Sequence, residues 1–297
     1  MNRSGWRSHL TALITALIAC VGLLSLSSAP AWAAAGTITE FSTPTANSGP
    51  FGITAGPDGN LWFTEKATNL IGRITTSGKI TEFPTPTANS GPVGITAGPD
   101  GNLWFTETAT NKIGRITTGG AITEFTLPTT CGSSGGCGPY AITAGPDGNL
   151  WFTETVGKIG RITTAGSITE FHIKTKNSFP AGITAGPDGN LWFTEALGNQ
   201  IGRITTAGSI TEFPLPATCA STYHCGLDGI TAGPDGNLWF TEFNVNTIGR
   251  ITPSGSFPGA FGIPTAKSGP RGITAGPDGN LWFAEQNASK IGRITTS

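Results

Sequence analysis

Six positions in this chain carry six different side chains, although the sequence that follows each of them is almost constant. Each precedes a Gly-Ile-Thr-Ala segment or its Ala-Ile-Thr-Ala variant, and together they are Phe51, Val93, Tyr140, Ala181, Asp228 and Arg271. We predict that they line the mouth of a binding site, because ligand sites combine apolar walls with a few charged groups. Asp228 and Arg271 have opposite charges and are expected to pair. The alternative is an exposed rim that tolerates any residue, where such an ion pair adds little stability.

Glutamates recur at a second position, at the end of the segment Leu-Trp-Phe-Thr-Glu or Leu-Trp-Phe-Ala-Glu. They are Glu65, Glu107, Glu154, Glu195, Glu242 and Glu285. Carboxylates bind hard cations, so Glu242 and Glu285 are candidate metal ligands. Six identical copies favour a structural task instead, such as bonding the loop backbone or the arginine of the same repeat.

Histidine is scarce, and His224 lies four residues before Asp228. An imidazole has the intrinsic pKa of a general base, so His224 and Asp228 are the candidate catalytic residues. A single loop histidine is also common as plain polar surface. The sequence contains no Ser-His-Asp order, phosphate loop or zinc signature that would indicate another chemistry.

Four cysteines form two Cys-x5-Cys pairs, Cys131 with Cys137 and Cys219 with Cys225. In an oxidising compartment this spacing predicts two local disulfides, each closing a small loop. A zinc site that includes His224 is the alternative. The two pairs are two repeats apart, which argues against one shared metal site.

Repetition organises these residues. Tryptophan marks each repeat, 41 to 47 residues apart, at Trp62, Trp104, Trp151, Trp192, Trp239 and Trp282. This period is the length of one four-stranded propeller blade. Within a repeat, Asp-Gly between two apolar runs is a hairpin signal. We therefore predict an all-β fold, a six-bladed β-propeller of four-stranded antiparallel blades.

The turns between the first and second strands are nearly identical in every repeat, whereas the loops at the opposite ends of the strands vary. Binding usually resides in variable loops on a rigid scaffold, so the candidate site is placed on the variable face. Thr37–Phe41 reads as a fourth strand without the three that should precede it, and Arg271–Thr296 reads as three strands without a fourth. We expect the N-terminal strand to complete the last blade and close the ring.

The first 33 residues predict a signal peptide, with Arg3 and Arg7, an apolar stretch and an Ala-x-Ala site ending at Ala33. Residues 34–297 then form the propeller, with repeats near 51–83, 93–125, 140–171, 181–213, 228–257 and 271–296. A secreted or periplasmic protein is expected, and lipid anchoring through Cys20 is the alternative. The formal charge of −1, without a basic run, argues against nucleic acid. We expect no membrane span, and a monomer.

The repeat core, GITAGPDGNLWFTE followed by NKIGRITT and ITEF, resembles the streptogramin B lyases over Thr37–Thr296. The resemblance implies a propeller, in that family with seven blades, that opens the ester ring of type B streptogramins by elimination. It also implies a magnesium ion that polarises the carbonyl and a histidine base that removes a proton.

Matching this family's site residues to the chain leaves gaps. The family's Glu-Pro-His-Gly segment corresponds to Gly269-Pro270-Arg271-Gly272 in this chain. The position of the family's second histidine is occupied by Asp228. Its metal-binding glutamate falls at Gln286, with Glu285 one residue away. Because arginine does not act as a base at neutral pH, two functions stay open. The first is binding of a small or cyclic ligand at the channel mouth. The second is a magnesium-dependent carbon–oxygen lyase that uses His224 or Asp228 with Glu242 or Glu285.

Overall fold

A computed structural model of the chain describes residues 40–129, 138–216 and 224–296. The chain divides into two units, Met1–Ser42 and Thr43–Ser297. The second unit contains all of the described strands. No helix among the described residues is long and apolar enough to cross a membrane. The predicted signal peptide, residues 1–33, lies outside the described residues.

The strands follow each other as antiparallel meanders, one per repeat. Blade 1 consists of β1 (Pro50–Ala55), β2 (Leu61–Glu65), β3 (Leu70–Ile74) and β4 (Ile80–Pro84). Blade 2 consists of β5 (Pro92–Ala97), β6 (Leu103–Glu107), β7 (Lys112–Ile116) and β8 (Ile122–Thr126). Blade 3 consists of β9 (Pro139–Ala144), β10 (Leu150–Glu154), β11 (Lys158–Ile162) and β12 (Ile168–His172). Blade 4 consists of β13 (Pro180–Ala185), β14 (Leu191–Glu195), β15 (Gln200–Ile204) and β16 (Ile210–Pro214). Blade 5 consists of β17 (Leu227–Ala232), β18 (Leu238–Glu242), β19 (Thr247–Ile251) and β20 (Gly259–Gly262). Blade 6 consists of β21 (Pro270–Ala275), β22 (Leu281–Glu285) and β23 (Lys290–Ile294). The predicted all-β, six-bladed propeller is confirmed.

Each first hairpin is closed by an aspartate. In blade 1 the Asp58 carboxylate accepts hydrogen bonds from the Asn60 amide at 3.2 Å and from the Trp62 indole at 3.0 Å. Gly59 has φ +74°, a conformation that glycine adopts without steric cost. The same bonds recur in the other five blades. The Pro-Asp-Gly-Asn turn therefore fixes both the hairpin and the tryptophan orientation.

Apolar side chains are buried between successive blades. At the first junction Trp62 and Ile71 of blade 1 pack against Ile95, Leu103 and Phe105 of blade 2. Four further clusters repeat this arrangement around the ring. Both faces of an inner blade are covered in this way, as the alternation of bulky residues in the second strand requires.

Polar bonds cross the same junctions. The Thr64 hydroxyl accepts from the Gly52 amide at 2.9 Å and donates to the Val93 carbonyl of the next blade at 2.8 Å. The guanidinium of Arg73 lies over the Trp62 ring and donates to the Thr118 carbonyl of blade 2 at 2.9 Å. The same two bonds recur in blades 2 to 4, so each of blades 1 to 4 is fixed to its successor near the channel and near its turns.

The first and last blades each present one face without these contacts among the described residues. Ile53 of β1 is 64% exposed and Ile291 of β23 is 68% exposed. Blade 6 contains three described strands rather than four. Residues 37–39 of the expected closing strand lie outside the described residues, so that closure stays a prediction.

Candidate functional site

A cavity of about 300 Å³ opens where the first strands of blades 3 to 6 begin. This is the variable face, because the loops after the second strands also end there. Aromatic, aliphatic and charged side chains share its wall. The lining residues are Tyr140, Phe179, Ala181, Ala196, Gly226, Leu227, Asp228, Phe243, Asn244 and Arg271.

Arg271 is held by three partners. Its guanidinium carbon lies 4.4 Å from the centroid of the Phe243 ring. Its Nε donates to Gln286 Oε1 at 2.8 Å, and its Nη1 donates to Asp228 Oδ2 at 3.3 Å. The predicted ion pair between Asp228 and Arg271 is therefore present. Stacking and two hydrogen bonds fix the plane of the guanidinium at the cavity wall.

Burial dominates the electrostatics of this wall. It raises the pKa of Asp228, and the positive charge of Arg271 offsets part of that rise. Burial also raises the pKa of the Tyr140 hydroxyl, with a further contribution from the nearby Asp228 carboxylate. A ligand at this position meets a weakly solvated surface where polar contacts are stronger than in water.

Phe179 has a strained backbone. Its φ is +50°, in the left-handed region. The corresponding residues in four other blades are glycines with φ between +59° and +68°, namely Gly49, Gly91, Gly226 and Gly269. For a non-glycine residue this conformation costs about 1–2 kcal/mol. Such strain is concentrated at functional sites, and here it places an aromatic ring on the cavity wall.

The other predicted mouth residues lie in different surroundings. Tyr140 and Ala181 line the cavity beside Asp228 and Arg271. Phe51 contacts the edge of the Tyr140 ring, with centroids 6.2 Å apart, and the Lys66 ammonium lies 5.5 Å from the Phe51 centroid. Val93 is buried and does not line the cavity.

His224, the predicted base, is exposed and does not line the cavity. Its backbone carbonyl accepts a hydrogen bond from Asn244 Nδ2 at 2.7 Å. Asp228 is the predicted catalytic residue that the cavity does include.

The six glutamates that end the second strands are buried. Burial, together with the negative charges of Glu124 and Glu170 respectively, raises the pKa of Glu107 to about 7 and that of Glu154 to about 8. Both carboxyl oxygens of Glu154 lack a hydrogen-bond partner among the described residues. The expected bond to the arginine of the same repeat is wrong. Arg115 and Arg161 instead lie over the Trp and Phe rings of their own blades. Each of them pairs across the hairpin with the tryptophan that precedes the glutamate by three residues.

Glu242 and Glu285, the candidate metal ligands, do not line the cavity either. Glu242 accepts a hydrogen bond from the Thr247 hydroxyl, and burial raises its pKa. Glu285 Oε2 is buried and has no hydrogen-bond partner among the described residues. Within the described ranges no three His, Cys, Asp or Glu side chains are placed to hold a metal. Among its described lining residues the cavity has one carboxylate, Asp228, which is paired with Arg271.

Of the four cysteines, Cys225 is described and is fully buried, and its amide donates to Asn199 Oδ1 at 2.8 Å. Cys131, Cys137 and Cys219 lie outside the described residues. The two disulfides therefore stay predictions.

Sequence reasoning missed Phe179, Phe243 and Asn244. A signal was present for two of them. Phe179 replaces the glycine of the Asn-Ser-Gly-Pro segment that other repeats contain, and Phe243 follows the strand glutamate, where other repeats have Lys, Thr, Ala or Gln. Departures from a repeat consensus mark this site better than any motif does.

Comparison with known proteins gives a family. The model of the virginiamycin B lyase family matches residues 30–225 and 220–297. The chain belongs to the virginiamycin B lyase family. Its members with solved structures include virginiamycin B lyase from Staphylococcus aureus, which is 48% identical over 84% of this chain and 82% of that chain, with a TM-score of 0.78.

Two further solved structures of this family are also similar to the chain. A catalytically inactive histidine-to-alanine variant of the Staphylococcus aureus virginiamycin B lyase, solved with quinupristin, is 46% identical over 87% of this chain and 85% of that chain, with a TM-score of 0.80. A streptogramin B lyase is 42% identical over 86% of this chain and 82% of that chain, with a TM-score of 0.78.

Proposed function

We propose that this protein binds a small or cyclic ligand at the channel mouth on its variable face. The observation that carries the proposal is the strained Phe179 at the wall of a 300 Å³ cavity. A chain that needed only its fold would keep glycine there, as four other blades do. Retaining an unfavourable aromatic residue indicates that its ring is used.

The wall suggests the type of ligand. Phe179, Phe243 and Tyr140 offer ring surfaces to an apolar or aromatic group. Arg271 is fixed in place and 45% exposed, so its unused N–H groups can donate to a carbonyl or carboxylate of the ligand. A cyclic peptide ester has both features, and quinupristin, found with a relative, is therefore the first probe.

The test is thermal denaturation and calorimetric titration with quinupristin. Binding at a concentration of 100 times Kd raises the free energy of unfolding by about 2.7 kcal/mol. We expect this rise in the wild type and its loss in Phe179→Gly and Arg271→Gln. Val156→Ala, an exposed side chain outside the cavity, is the matched control and should bind like the wild type. No rise in any of these proteins would contradict the proposal.

The second candidate is a carbon–oxygen lyase that opens a cyclic ester by elimination. Membership of the virginiamycin B lyase family favours it. Asp228 would act as the base, since its raised pKa suits proton transfer better than an ordinary aspartate does. His224 and a magnesium ion on Glu242 or Glu285 are the other expected participants, although neither glutamate reaches the cavity described above.

Mass spectrometry of quinupristin incubated with the purified protein separates the two candidates. Elimination opens the ring without adding water, so the product has the mass of the substrate but a different retention time. Lyase activity should disappear with a chelator and in Asp228→Asn. An unchanged substrate in magnesium buffer, together with a thermal shift, would leave binding as the function.

The proposal also includes export of the protein from the cytoplasm. The leader of residues 1–33 supports secretion or periplasmic delivery, with cleavage after Ala33. In that compartment Cys131–Cys137 and Cys219–Cys225 would form disulfides, and the propeller would act as a monomer. The mass of the exported chain, before and after reduction, tests cleavage and pairing. A chain 1–297 recovered in the cytoplasm with five free thiols would contradict both.

A further inference from the structure

Blade 4 contains a buried carboxyl group without a partner. Glu195 is 0% exposed, and neither of its carboxyl oxygens has a hydrogen-bond partner among the described residues. The hydroxyl of Ser178 is also buried and has none within the same described residues. The two side chains belong to adjoining segments, because the Ser178 carbonyl accepts from the Leu197 and Gly198 amides. Such groups are rare in native proteins, and a bound ion or water commonly satisfies them.

A second carboxyl group lies near the first. Burial, followed by the negative charge of Glu212 in β16, raises the pKa of Glu195 to about 8. Glu212 Oε1 accepts a hydrogen bond from the Thr175 amide at 3.1 Å. No lysine or arginine in the described part of the chain forms an ion pair with either glutamate. Two like charges in a buried place are stabilised by a proton or by a cation.

Blades 2 and 3 carry a lysine beside the equivalent pair of carboxyl groups. Lys112 is the cross-strand neighbour of Glu107. Its ammonium donates to Glu124 Oε2 at 2.7 Å and to Thr87 Oγ1 at 2.5 Å. Blade 3 repeats the arrangement with Lys158, Glu170 and Thr129. Each of these blades therefore supplies its own cation.

Blade 4 has a neutral side chain at the lysine position. Gln200 is the cross-strand neighbour of Glu195, and its Nε2 donates to Thr175 Oγ1 at 2.7 Å. The amide keeps a contact with the threonine but brings no positive charge. It also brings a carbonyl oxygen, which is a ligand that hard cations prefer.

Gly198 leaves a space beside the same carboxyl group. A Cβ at this position would lie 2.9 Å from Glu195 Oε2 and 3.5 Å from Thr175 Cγ2. The backbone does not require glycine here, because φ at Gly198 is not positive. The equivalent residue of blade 1 is Thr68, whose hydroxyl donates to Glu65 Oε2 at 3.4 Å. Blade 4 therefore lacks both the ammonium and this hydroxyl, and has room in their place.

We propose that this space binds a monovalent cation of ammonium size, such as K⁺, between Glu195 and Glu212. The cation takes the place that the lysine ammonium has in blades 2 and 3. The two carboxylates supply the negative charge, and Gln200 and Ser178 supply neutral oxygens. Neither glutamate lines the cavity at the variable face, so the proposal does not depend on the proposed ligand.

The size of the ion follows from the lysine contacts. An ammonium is held by oxygens at 2.5 and 2.7 Å in blade 2. Mg²⁺ requires about six ligands at about 2.0–2.1 Å in octahedral geometry, which is a smaller and more demanding site. A single positive charge also reproduces the charge balance of blades 2 and 3.

The test compares Tm in KCl and in tetramethylammonium chloride at pH 8.5, with a chelator of divalent ions in both buffers. Most of the Glu195 carboxyl is ionised at this pH. Equal ionic strength keeps screening constant, and tetramethylammonium is too large for the site. We expect the wild type to have a Tm about 2–4 °C higher in KCl. Equal Tm values in the two salts, as a bound proton or water would give, would overturn the proposal.

A lysine built into blade 4 locates the ion. Gln200→Lys supplies the ammonium covalently, so its Tm in tetramethylammonium should approach that of the wild type in KCl and should no longer respond to K⁺. Leu70→Lys is the matched control, since Leu70 has the same place in blade 1, and it should keep the K⁺ response. A response that survives in Gln200→Lys, or disappears in Leu70→Lys, would overturn the assignment to blade 4.

Filling the space is a second test that adds no charge. Gly198→Ala places a methyl group against Glu195 Oε2, so the difference in Tm between the two salts should shrink even if the protein is less stable overall. An undiminished difference in Gly198→Ala would overturn the proposal.

Discussion

The guanidinium of Arg271 lies 4.4 Å above the ring centroid of Phe243. This stacking joins blades 6 and 5 at the cavity, and Asp228 adds an ion pair at 3.3 Å. Arg271 stands where the resemblance to the streptogramin B lyases implies a catalytic histidine. A fixed guanidinium donor at this position favours recognition over proton transfer.

Removing one partner of this ion pair should cost more than removing both. Arg271→Gln leaves the Asp228 carboxylate buried without its counter-charge, so its pKa rises further and the free energy of unfolding falls by about 1 kcal/mol. The double variant with Asp228→Asn should be more stable than Arg271→Gln alone at pH 7. Urea denaturation of the four proteins measures this. Additive losses would show that the pair contributes nothing.

Replacing Phe179 should separate stability from binding. Phe179→Gly relieves the left-handed strain, so we expect the free energy of unfolding to rise or to stay level despite the lost ring. Affinity for quinupristin should fall at least tenfold. Phe213→Gly is a useful contrast, because that ring stacks on Trp192 and its loss should destabilise the protein. If Phe179→Gly also unfolds easily, the ring is structural rather than functional.

The buried glutamates predict that stability falls as pH rises. Burial raises the pKa of Glu65 and Glu107 to about 7, and of Glu154 and Glu195 to about 8. The folded state therefore holds these protons more strongly than the unfolded state, whose carboxyls titrate near pH 4.5. The stabilising contribution is present below that pH and is lost as pH rises towards 8. While one group titrates, the change is about 1.4 kcal/mol per pH unit.

Tm measured from pH 5 to pH 9 should thus decrease, and Glu154→Gln should flatten the slope. Glu170→Gln in the same blade should keep most of the slope of Tm against pH, because burial is a larger cause of the raised Glu154 pKa than the charge of Glu170 is. A Tm that is level from pH 5 to pH 9 would mean that the carboxylates are solvated or paired.

Two equivalent glycines should respond differently to a methyl group. A Cβ at Gly52 would lie 2.5 Å from the Val93 carbonyl oxygen of the next blade, whereas one at Gly272 meets no atom within 4 Å. Gly52→Ala should therefore destabilise the protein by about 1–3 kcal/mol, and Gly272→Ala by much less. Equal losses by thermal denaturation would indicate that blade 6 packs against another blade in solution.

Much of the fold follows from local signals. The Pro-Asp-Gly-Asn turn and the tryptophan two residues later predict the hairpin, and Asp58 bonds both ends of that unit. The period of 41 to 47 residues predicts the blades. The pairing of Asp228 with Arg271 could also be predicted, because the repeats place equivalent positions side by side around one channel.

Other features required the tertiary structure. The sequence predicts either cation ligands or a structural task for the six glutamates and does not show their burial. Burial raises the pKa of five of them, Glu65, Glu107, Glu154, Glu195 and Glu242. Phe243 follows β18 of blade 5, and only the packing of adjacent blades brings it to Arg271, whereas Gln286 follows β22, the hairpin partner of β21.

The sequence by itself determined the repeating unit, since each turn and each stacked pair is formed by residues of one blade. The tertiary structure decided which residues share a cavity and which faces stay uncovered. The physical reason is that burial and electrostatic environment arise between blades, where contacting residues are 29 to 50 positions apart.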